Sequence, residues 1–425
     1  GAQPEGSSTA WACCFRFYGL GAYVIQRYGG SLASAKRFPP SGTKYKLSGR
    51  YGRLSGILCY FEVVRVLVAM SGGVDSSVTA ALLARQGHEV IGITMKTWAY
   101  ETADMPARRT TGCCNLDDIN DARSVAVRHG FPHYVVDLRD TFGEKVIDRF
   151  VEAYLSGLTP NPCILCNTYI KWDVLFAKAR QLHCDKMATG HYARIAQANG
   201  RYFIRRARDL TKDQSYVLWG LSQEMLRHTL FPLGEYYKAE VRKMAAEWGL
   251  TRLSQKKDSY EICFVPEGDY RAFIRRRRPE AVAQLAGGPI RHIETGAIVG
   301  QHEGYPFYTI GQRRGLPALG APHYVVDIEP ETNTLIIGPE KYLYRLTLYM
   351  DSTVWHKYPA LPYEGYPATV KIRHMDPGHE ARLYTAGEGR LRVEFTAGVK
   401  AITPGQAAVA YEGEDMIAGG WIQRG

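Results

Sequence analysis

A glycine-rich turn and three cysteines carry the chemistry legible in this chain. Residues Val64 to Ser77 read VRVLVAMSGGVDSS, a β-branched apolar run ending in Ser-Gly-Gly, and a helical pattern follows from Val78 to Gln86. A strand, a glycine-rich turn and a helix N-terminus cradle an anion, because backbone N–H groups converge there and the helix dipole favours negative charge. Gly72 and Gly73 let the backbone approach phosphates, and Ser71, Ser76 and Ser77 add hydroxyl donors. Asp75 within an anion nest points to a cation arriving with a nucleotide, so Mg2+ is assigned to it. The plainer alternative is an ordinary β-α turn with a Ser/Asp cap. The Gly-Lys-Ser/Thr ending of a Walker A loop is missing.

The second constellation holds sulfur. Asn161-Pro162-Cys163-Ile164-Leu165-Cys166-Asn167 follows a Thr-Pro turn and precedes a helical run. A cysteine near a helix N-terminus is favoured as thiolate, and a CxxC spacing suits redox, metal or sulfur handling. Two buried structural cysteines are the alternative. Cys263 lies downstream in KDSYEICF, where a cysteine beside phenylalanine reads by itself as core packing. Cys184 reads as core, and adjacent Cys113 and Cys114 point different ways and read as an incidental pair.

The elements that must position these groups follow from periodicity. Strand-like runs Val64–Ala69, Glu89–Thr94, His133–Asp137 and Lys186–Thr189 alternate with helical runs Asp117–His129, Phe142–Leu155 and Trp172–Leu182. Strands separated by helices predict an α/β fold with a doubly wound parallel sheet over residues 64–263, whose ligands sit beyond the carboxyl ends of the strands. A small mixed domain is expected over 264–338, with the basic run Arg275–Arg278 and Gly-rich turns including YTIGQRRG. A C-terminal β-barrel is expected over 339–425, where ATVKIRH, EARLYT, RLRVEFT and QAAVAYE alternate apolar and polar residues. Residues 1–63 show no sustained period and are expected to be a largely disordered or non-native extension.

Bulk properties set limits. A chain of 425 residues suits two to four domains, and no apolar run is long enough for a transmembrane helix. The net charge is +11, but residues 1–63 hold eight Lys/Arg against two Asp/Glu, so a nucleic-acid partner has to be argued from local patches. Nine cysteines with CC and CxxC spacing read as a reducing, cytoplasmic compartment and not as a secreted disulfide scaffold.

The turn resembles the pyrophosphate loop of the ATP-pyrophosphatase (PP-loop) superfamily, which cuts ATP between the α and β phosphates and adenylates a substrate oxygen. The order SGGVDSS, TPNPCILCN, ATGHYARI, KDQSYVLW, KKDSYEICF, YTIGQRRG and TPGQAAV resembles the tRNA-specific 2-thiouridylase family, over essentially Val64 to Gln423. The resemblance implies ATP-dependent transfer of sulfur to C2 of the wobble uridine. It implies that Ala69, Met70, Ser71, Gly72, Gly73, Val74, Asp75 and Ser76 surround the ATP phosphates, with Met95 near the adenosine and Gly190 a further nucleotide contact. Asn161, Pro162 and Cys163 would line the target base. Cys166 would be the nucleophile and Cys263 the persulfide carrier. His191, Lys212, Asp213, Gln214, Arg373, His374 and Gln406 would meet tRNA. Implied partners are tRNA, a sulfur-donor protein (a persulfide carrier or cysteine desulfurase) and a reductant, with the chain a monomer. The base must leave its stack to reach such a pocket, and single-stranded loop bases are the usual targets of RNA recognition.

One departure bears on the mechanism. Many members of that family carry Asp where this chain has Cys163, so Cys163, Cys166 and Cys263 offer three thiolates around one site. Three thiolates suit a [4Fe–4S] cluster with one open iron, or zinc, as an alternative to a persulfide. Two rival functions share some of these features. A small-molecule adenylating ligase would use the same loop without the cysteines, and a non-catalytic tRNA-binding protein would keep the barrel without turnover.

Overall fold

The structure, a computed structural model, describes residues 63–98, 116–258, 262–265 and 268–425, together with the backbone of four strands ahead of them. These are β1 (Ala22–Tyr28), β2 (Ser31–Lys36), β3 (Tyr51–Leu54) and β4 (Ile57–Phe61), paired antiparallel in the order β2-β1-β4-β3. The expectation of disorder in the extension otherwise falls on residues outside those described. So does the reading of Cys113 and Cys114 as an incidental pair.

The first large body is a parallel sheet. In chain order it comprises β5 (Arg65–Ala69), α1 (Val74–Arg85), β6 (Glu89–Lys96), α2 (Leu116–His129), β7 (His133–Asp137), α3 (Arg139–Phe142), α4 (Arg149–Leu155), α5 (Pro162–Leu165), α6 (Phe176–Gln181) and β8 (Lys186–Thr189). A hairpin of β9 (Ala193–Ala198) and β10 (Arg201–Arg206) follows, then α7 (Gln223–Arg227), β11 (Thr229–Leu230), α8 (Lys238–Glu247) and α9 (Thr251–Ser254). The five parallel strands run β11-β8-β5-β6-β7. β5 is paired with β6 on one side and β8 on the other, so the direction of winding reverses between β5 and β8. In open α/β sheets that reversal opens a crevice at the carboxyl ends of the strands. Val66, Leu67 and Val68 are fully buried in β5, as a central strand covered on both faces requires.

All four strand runs expected from periodicity form, and two of the helical runs differ in detail. The run from Phe142 widens into a π-helix over Gly143–Asp148 before α4, and the run from Trp172 begins earlier, in a π-helix over Cys166–Leu175 between α5 and α6. The i→i+5 winding of π-helices is rare and concentrates at functional sites.

The central body holds α10 (Tyr270–Arg277), α11 (Pro279–Leu285) and the mixed sheet β13-β12-β15-β14, made of β12 (Pro289–His292), β13 (Ile298–Gln301), β14 (Tyr324–Glu329) and β15 (Thr334–Gly338). The β12–β15 pair is parallel and the rest antiparallel. The last body is a closed six-stranded antiparallel barrel of β16 (Tyr344–Trp355), β17 (Tyr366–Lys371), β18 (His379–Thr385), β19 (Leu391–Lys400), β20 (Ala407–Glu412) and β21 (Asp415–Ile422), closed by the β16–β21 pairing. The β9–β10 hairpin of the first body pairs with β21 at Arg205–Asp415, so one continuous sheet crosses from the nucleotide-type domain into the barrel. Among the described residues no helix is long and apolar enough to cross a membrane.

Candidate active site

The glycine-rich turn occupies the winding reversal. Ala69 at the end of β5 is in register with Thr189 at the end of β8. Gly73 caps α1 in an extended conformation with no side-chain cap, so the first turn of α1 presents backbone N–H groups into the crevice. Ser76 braces the turn: its Oγ accepts the Ser71 N–H at 3.1 Å and lies 3.2 Å from Ser71 Oγ. Ser77 Oγ is buried with no hydrogen-bond partner in the protein. A hydroxyl of that kind beside an uncapped helix start suits a phosphate oxygen, and the donor set fits ATP.

Glycine is dictated at two positions here. Gly72 has φ +72°, and a Cβ there would lie 2.6 Å from Asp118 Cα and closer still to Asp118 O. The turn is pressed against the start of α2. A Cβ at Gly190 would lie 2.7 Å from Ser76 N. Gly190 therefore lets β8 approach the first turn of α1, which accounts for a glycine in ATGHY by packing alone. Met70 is buried with its Sδ against Gly92, and Val74 is buried beside it in the same core. Met95 is half-buried between two apolar clusters.

Lysines fasten this turn to its surroundings. Lys256 Nζ donates to Gly72 O at 2.9 Å and to Asp121 Oδ2 at 3.0 Å, and also pairs with Asp118. Burial pushes the Asp118 carboxyl up, against the pull of Lys256. Asp75 receives Lys238 Nζ on both carboxylate oxygens at 2.7 Å, and the Tyr192 hydroxyl at 2.8 Å. Lys238 also pairs with Asp258 at 2.9 Å, and Asp258 pairs with Lys212 and Arg242, each at 2.8 Å. Burial opposes ionisation of Asp258, yet these cations hold its carboxyl down at about 2. The ion pairs thus run from the turn through Asp75 and Lys238 to Asp258. Sequence reading missed Lys238, Lys256, Asp118, Asp121 and Tyr192. Only Tyr192 and Lys256 fell within quoted motifs, and long-range pairing leaves no local signal.

Asp75 is engaged here by the Lys238 ammonium and the Tyr192 phenol, while Mg2+ that comes with a nucleotide takes most of its ligands from phosphates and water. Among the described residues no three His, Cys, Asp or Glu side chains form a group able to hold a metal ion, and that includes Cys163, Cys166 and Cys263 as an iron-sulfur or zinc site.

The sulfur segment is built on α5. Asn161 caps it, its side chain accepting the Cys163 N–H at 3.1 Å, and Pro162 stands at the first helical position, where its missing N–H costs nothing. Cys163 is exposed, while Cys166, at the junction with the π-helix, is half-buried. Cys263 is half-buried beside Phe264, which is fully buried edge-on to Phe142 at 5.7 Å and Phe150 at 5.3 Å. Cys166 and Cys263 both border one apolar cluster, formed by Leu165, Ile170, Phe142, Phe150, Phe264 and neighbours. Two cysteines separated by 97 positions in sequence are thus set on the rim of the same core.

The segment leading to Asn161 is a three-body junction. Thr159 N donates to Pro404 O at 2.9 Å, and Gln406 Nε2 donates to Thr159 O at 2.9 Å, both from the barrel. Arg424 reaches Ser156 O and Gly157 O, and also Ile328 O in the central sheet. Gln406, expected to meet tRNA, is engaged in positioning this segment.

Other expected RNA contacts are also drawn inward. His191 is buried, its Nδ1 2.7 Å from Thr189 Oγ1 and its ring packed on Trp172 and Phe231, and burial pushes its pKa well down. Asp213 is buried, pairing with Arg206 at 3.1 Å and accepting Ala207 N–H and Ser215 Oγ–H. Gln214 Oε1 accepts the Tyr192 N–H, and Lys212 is held by Asp258. These positions fasten the KDQS turn, and their polarity in sequence is not a sign of exposure. Arg373 is exposed, and His374 is half-buried beside the Tyr216 ring at 6.1 Å. In the basic run, Arg275, Arg277 and Arg278 have acidic neighbours in Glu303, Asp148 and Glu152, whereas Arg276 projects to solvent.

A parallel sheet with an uncapped phosphate turn at its winding reversal, two cysteines on one core rim and an appended barrel defines a PP-loop enzyme of the sulfur-handling kind. Comparison with known proteins gives the family. "tRNA methyl transferase HUP domain" matches residues 64–267, "tRNA methyl transferase PRC-barrel domain" 272–339, and "Aminomethyltransferase beta-barrel domain" 345–422. The chain is 52% identical over 360 residues to the tRNA-specific 2-thiouridylase MnmA of Amoebophilus asiaticus (strain 5a2), covering 84% of this chain and 95% of that one. It is 52% identical over 361 residues to the protein of the same name from Salinibacter ruber (strain DSM 13855 / M31), covering 84% and 94%. A 4-thiouridine synthetase solved with RNA and ATP overlaps 54% of this chain at 14% identity and a TM-score of 0.33, too remote to bear on it. The chain belongs to the tRNA-specific 2-thiouridylase family.

Proposed function

We propose that this protein is an ATP-dependent tRNA sulfurtransferase that makes 2-thiouridine at the wobble position. The observation carrying the reading is that Cys166 and Cys263 border one apolar cluster in a chain whose glycine-rich turn stands at the winding reversal of the parallel sheet. The C2 carbonyl of uridine is a poor electrophile because oxide is a poor leaving group. Uridine O2 attacks the α-phosphorus of ATP, the bond to the bridging oxygen breaks, pyrophosphate leaves and the N3 proton is lost. The outer sulfur of a Cys263 persulfide then attacks C2, and AMP departs with the old O2. Cys166 thiolate attacks Cys263 Sγ and the persulfide S–S bond breaks. Its electron pair stays on the sulfur at C2, N3 is reprotonated, and a Cys166–Cys263 disulfide remains. A dithiol reductant returns the two electrons by exchange. A persulfide-bearing donor protein reloads Cys263.

The chain's own residues contribute placement. Asn161 and Pro162 fix the start of α5 against the flipped base, and exposed Cys163 takes the position beside it. Arg373 and Arg276 offer phosphate contacts to the anticodon arm. We place the reaction in a reducing, cytoplasmic setting with a monomeric enzyme. Chromatography and mass spectrometry of tRNA nucleosides test the proposal: purified protein with ATP, a persulfide donor, dithiothreitol and unmodified tRNA yields 2-thiouridine, whereas Cys166→Ser and Cys263→Ser do not. Product formation by either serine variant removes that cysteine from the mechanism. Pyrophosphate release without tRNA would instead favour a small-molecule ligase.

A further inference from the structure

The half-buried Lys171 sits between the sulfur segment and the phosphate turn, and nothing above assigns it a role. Its Nζ donates to Asn167 Oδ1 at 2.8 Å and lies 3.4 Å from His191 Nε2. Asn167 is itself buried and donates to Val217 O at 2.9 Å. Lys171 has no carboxylate partner among the described residues, in a protein whose other lysines around this site, Lys212, Lys238 and Lys256, are all in ion pairs. A half-buried ammonium held only by neutral acceptors lacks a counter-charge that an anion would supply.

Its location says which anion. In the π-helix over Cys166–Leu175, a residue five positions on stands over the first, so Lys171 shares a face with Cys166. On its other side, His191 Nδ1 reaches Thr189, which is in register with Ala69 at the root of the phosphate turn. With Nε2 facing an ammonium, His191 is held as the neutral tautomer that donates from Nδ1 to Thr189, so it brings no charge of its own. With the β and γ phosphates at the α1 N-terminus and the base at Asn161–Cys163, as the proposed function has them, the α-phosphate falls between those two segments, which Lys171 links through the helix of Cys166 and through His191.

Resting on the function proposed above, we infer that Lys171 is a further catalytic residue, whose ammonium binds the α-phosphate while O2 attacks and stays with the AMP moiety until it leaves. Charge grows on the non-bridging oxygens as pyrophosphate departs, and a fixed cation in a poorly solvated site stabilises that charge more than the ground state. No atoms are exchanged with Lys171, which keeps its proton throughout.

Single-turnover assays on Lys171→Gln and Lys171→Arg test this, reading tRNA-dependent pyrophosphate release alongside 2-thiouridine. Lys171→Gln should slow pyrophosphate release by about 100-fold while tRNA affinity and melting temperature stay near wild type. Lys171→Arg should recover to within about tenfold of wild type, because the charge is kept and only its reach changes. Pyrophosphate release by Lys171→Gln at the wild-type rate overturns the inference. So does normal pyrophosphate release with loss of 2-thiouridine, which would move Lys171 to the sulfur step. Should Lys171→Gln not fold, Lys171→Arg decides: a loss above about 100-fold with ATP and tRNA affinities intact overturns it. Wild-type protein making no 2-thiouridine sinks the functional proposal itself, a result distinct from all of these.

Discussion

Gly72→Ala puts the phosphate turn to a quantitative test. The residue sits at φ +72°, and an added methyl would lie 2.6 Å from Asp118 Cα, inside the backbone at the start of α2. Two costs follow. The left-handed conformation disfavours alanine by about 1–2 kcal/mol. The overlap must be relieved by moving either the turn or α2, which is overpacking of about 1–3 kcal/mol. A loss near 2–5 kcal/mol is expected from these two sources together. Gly87→Ala is the internal control: φ is +87°, but nothing lies within 4 Å of the added carbon. Only the first cost applies there, and the reduced unfolded-state entropy of about 0.4–1 kcal/mol is common to both substitutions. Urea unfolding of wild type and both variants measures the difference. Pyrophosphate release should fall in Gly72→Ala at urea-free conditions where it is still folded, because Lys256 holds Gly72 O and the displaced turn loses its phosphate geometry. Equal destabilisation by the two substitutions, or a folded and fully active Gly72→Ala, would refute the close approach of turn and α2.

Gly190→Ala has no positive φ to strain but would press on Ser76 N at 2.7 Å; activity should fall by more than stability, seen by comparing pyrophosphate release with the melting curve. His356 is fully buried with Nε2 donating to Trp219 O, and burial pushes its pKa down to about 4. The unfolded histidine binds a proton near pH 6.5 and the folded one does not until about 4, so this contribution is complete above 6.5 and is lost as pH falls between those values, at up to about 1.4 kcal/mol per pH unit. His356→Asn should flatten that slope in acid unfolding curves. Asp258 has the carboxylate sign: its depressed pKa stabilises the protein above about pH 4 and that stability disappears as pH drops towards about 2. Asp258→Asn, leaving Lys212, Lys238 and Arg242 facing one neutral group, should cost about 1–3 kcal/mol in urea unfolding and slow sulfur transfer. Gln406→Ala should lower turnover by about 2–10-fold, the worth of one hydrogen bond, with ATP affinity unchanged, as read by steady-state kinetics.

The features legible in the sequence were those dictated by local pattern. The apolar run VRVLVAM reads as a strand and SGGVDSS as a turn into a helix, and the strands and helices that alternate after them announce the parallel sheet. Alternation in the last 80 or so residues gave the barrel. What failed to show was decided by contacts across the chain. His191 is a polar residue in a polar-looking motif, yet its ring packs inside on Trp172 and Phe231 from other elements. The π-helix over Cys166–Leu175 has no composition of its own. A β9–β10 hairpin joining a barrel strand more than 200 positions away has no periodicity that would announce the partner.

Those long-range contacts explain why sulfur chemistry and tRNA recognition occupy one chain. The segment Ser156–Thr159, which aims Asn161–Cys166, is held by Arg424 and Gln406 from the barrel end and by Arg424 to Ile328 in the central sheet. The barrel body that carries exposed Arg373 therefore also fixes the backbone leading into Asn161–Cys166. Separately, Asp258 pairs with Lys238, which pairs with Asp75 in the phosphate turn. On the proposed mechanism sulfur release needs Cys166 and Cys263 together, so keeping them apart until both substrates are bound would protect the persulfide from water and stray thiols.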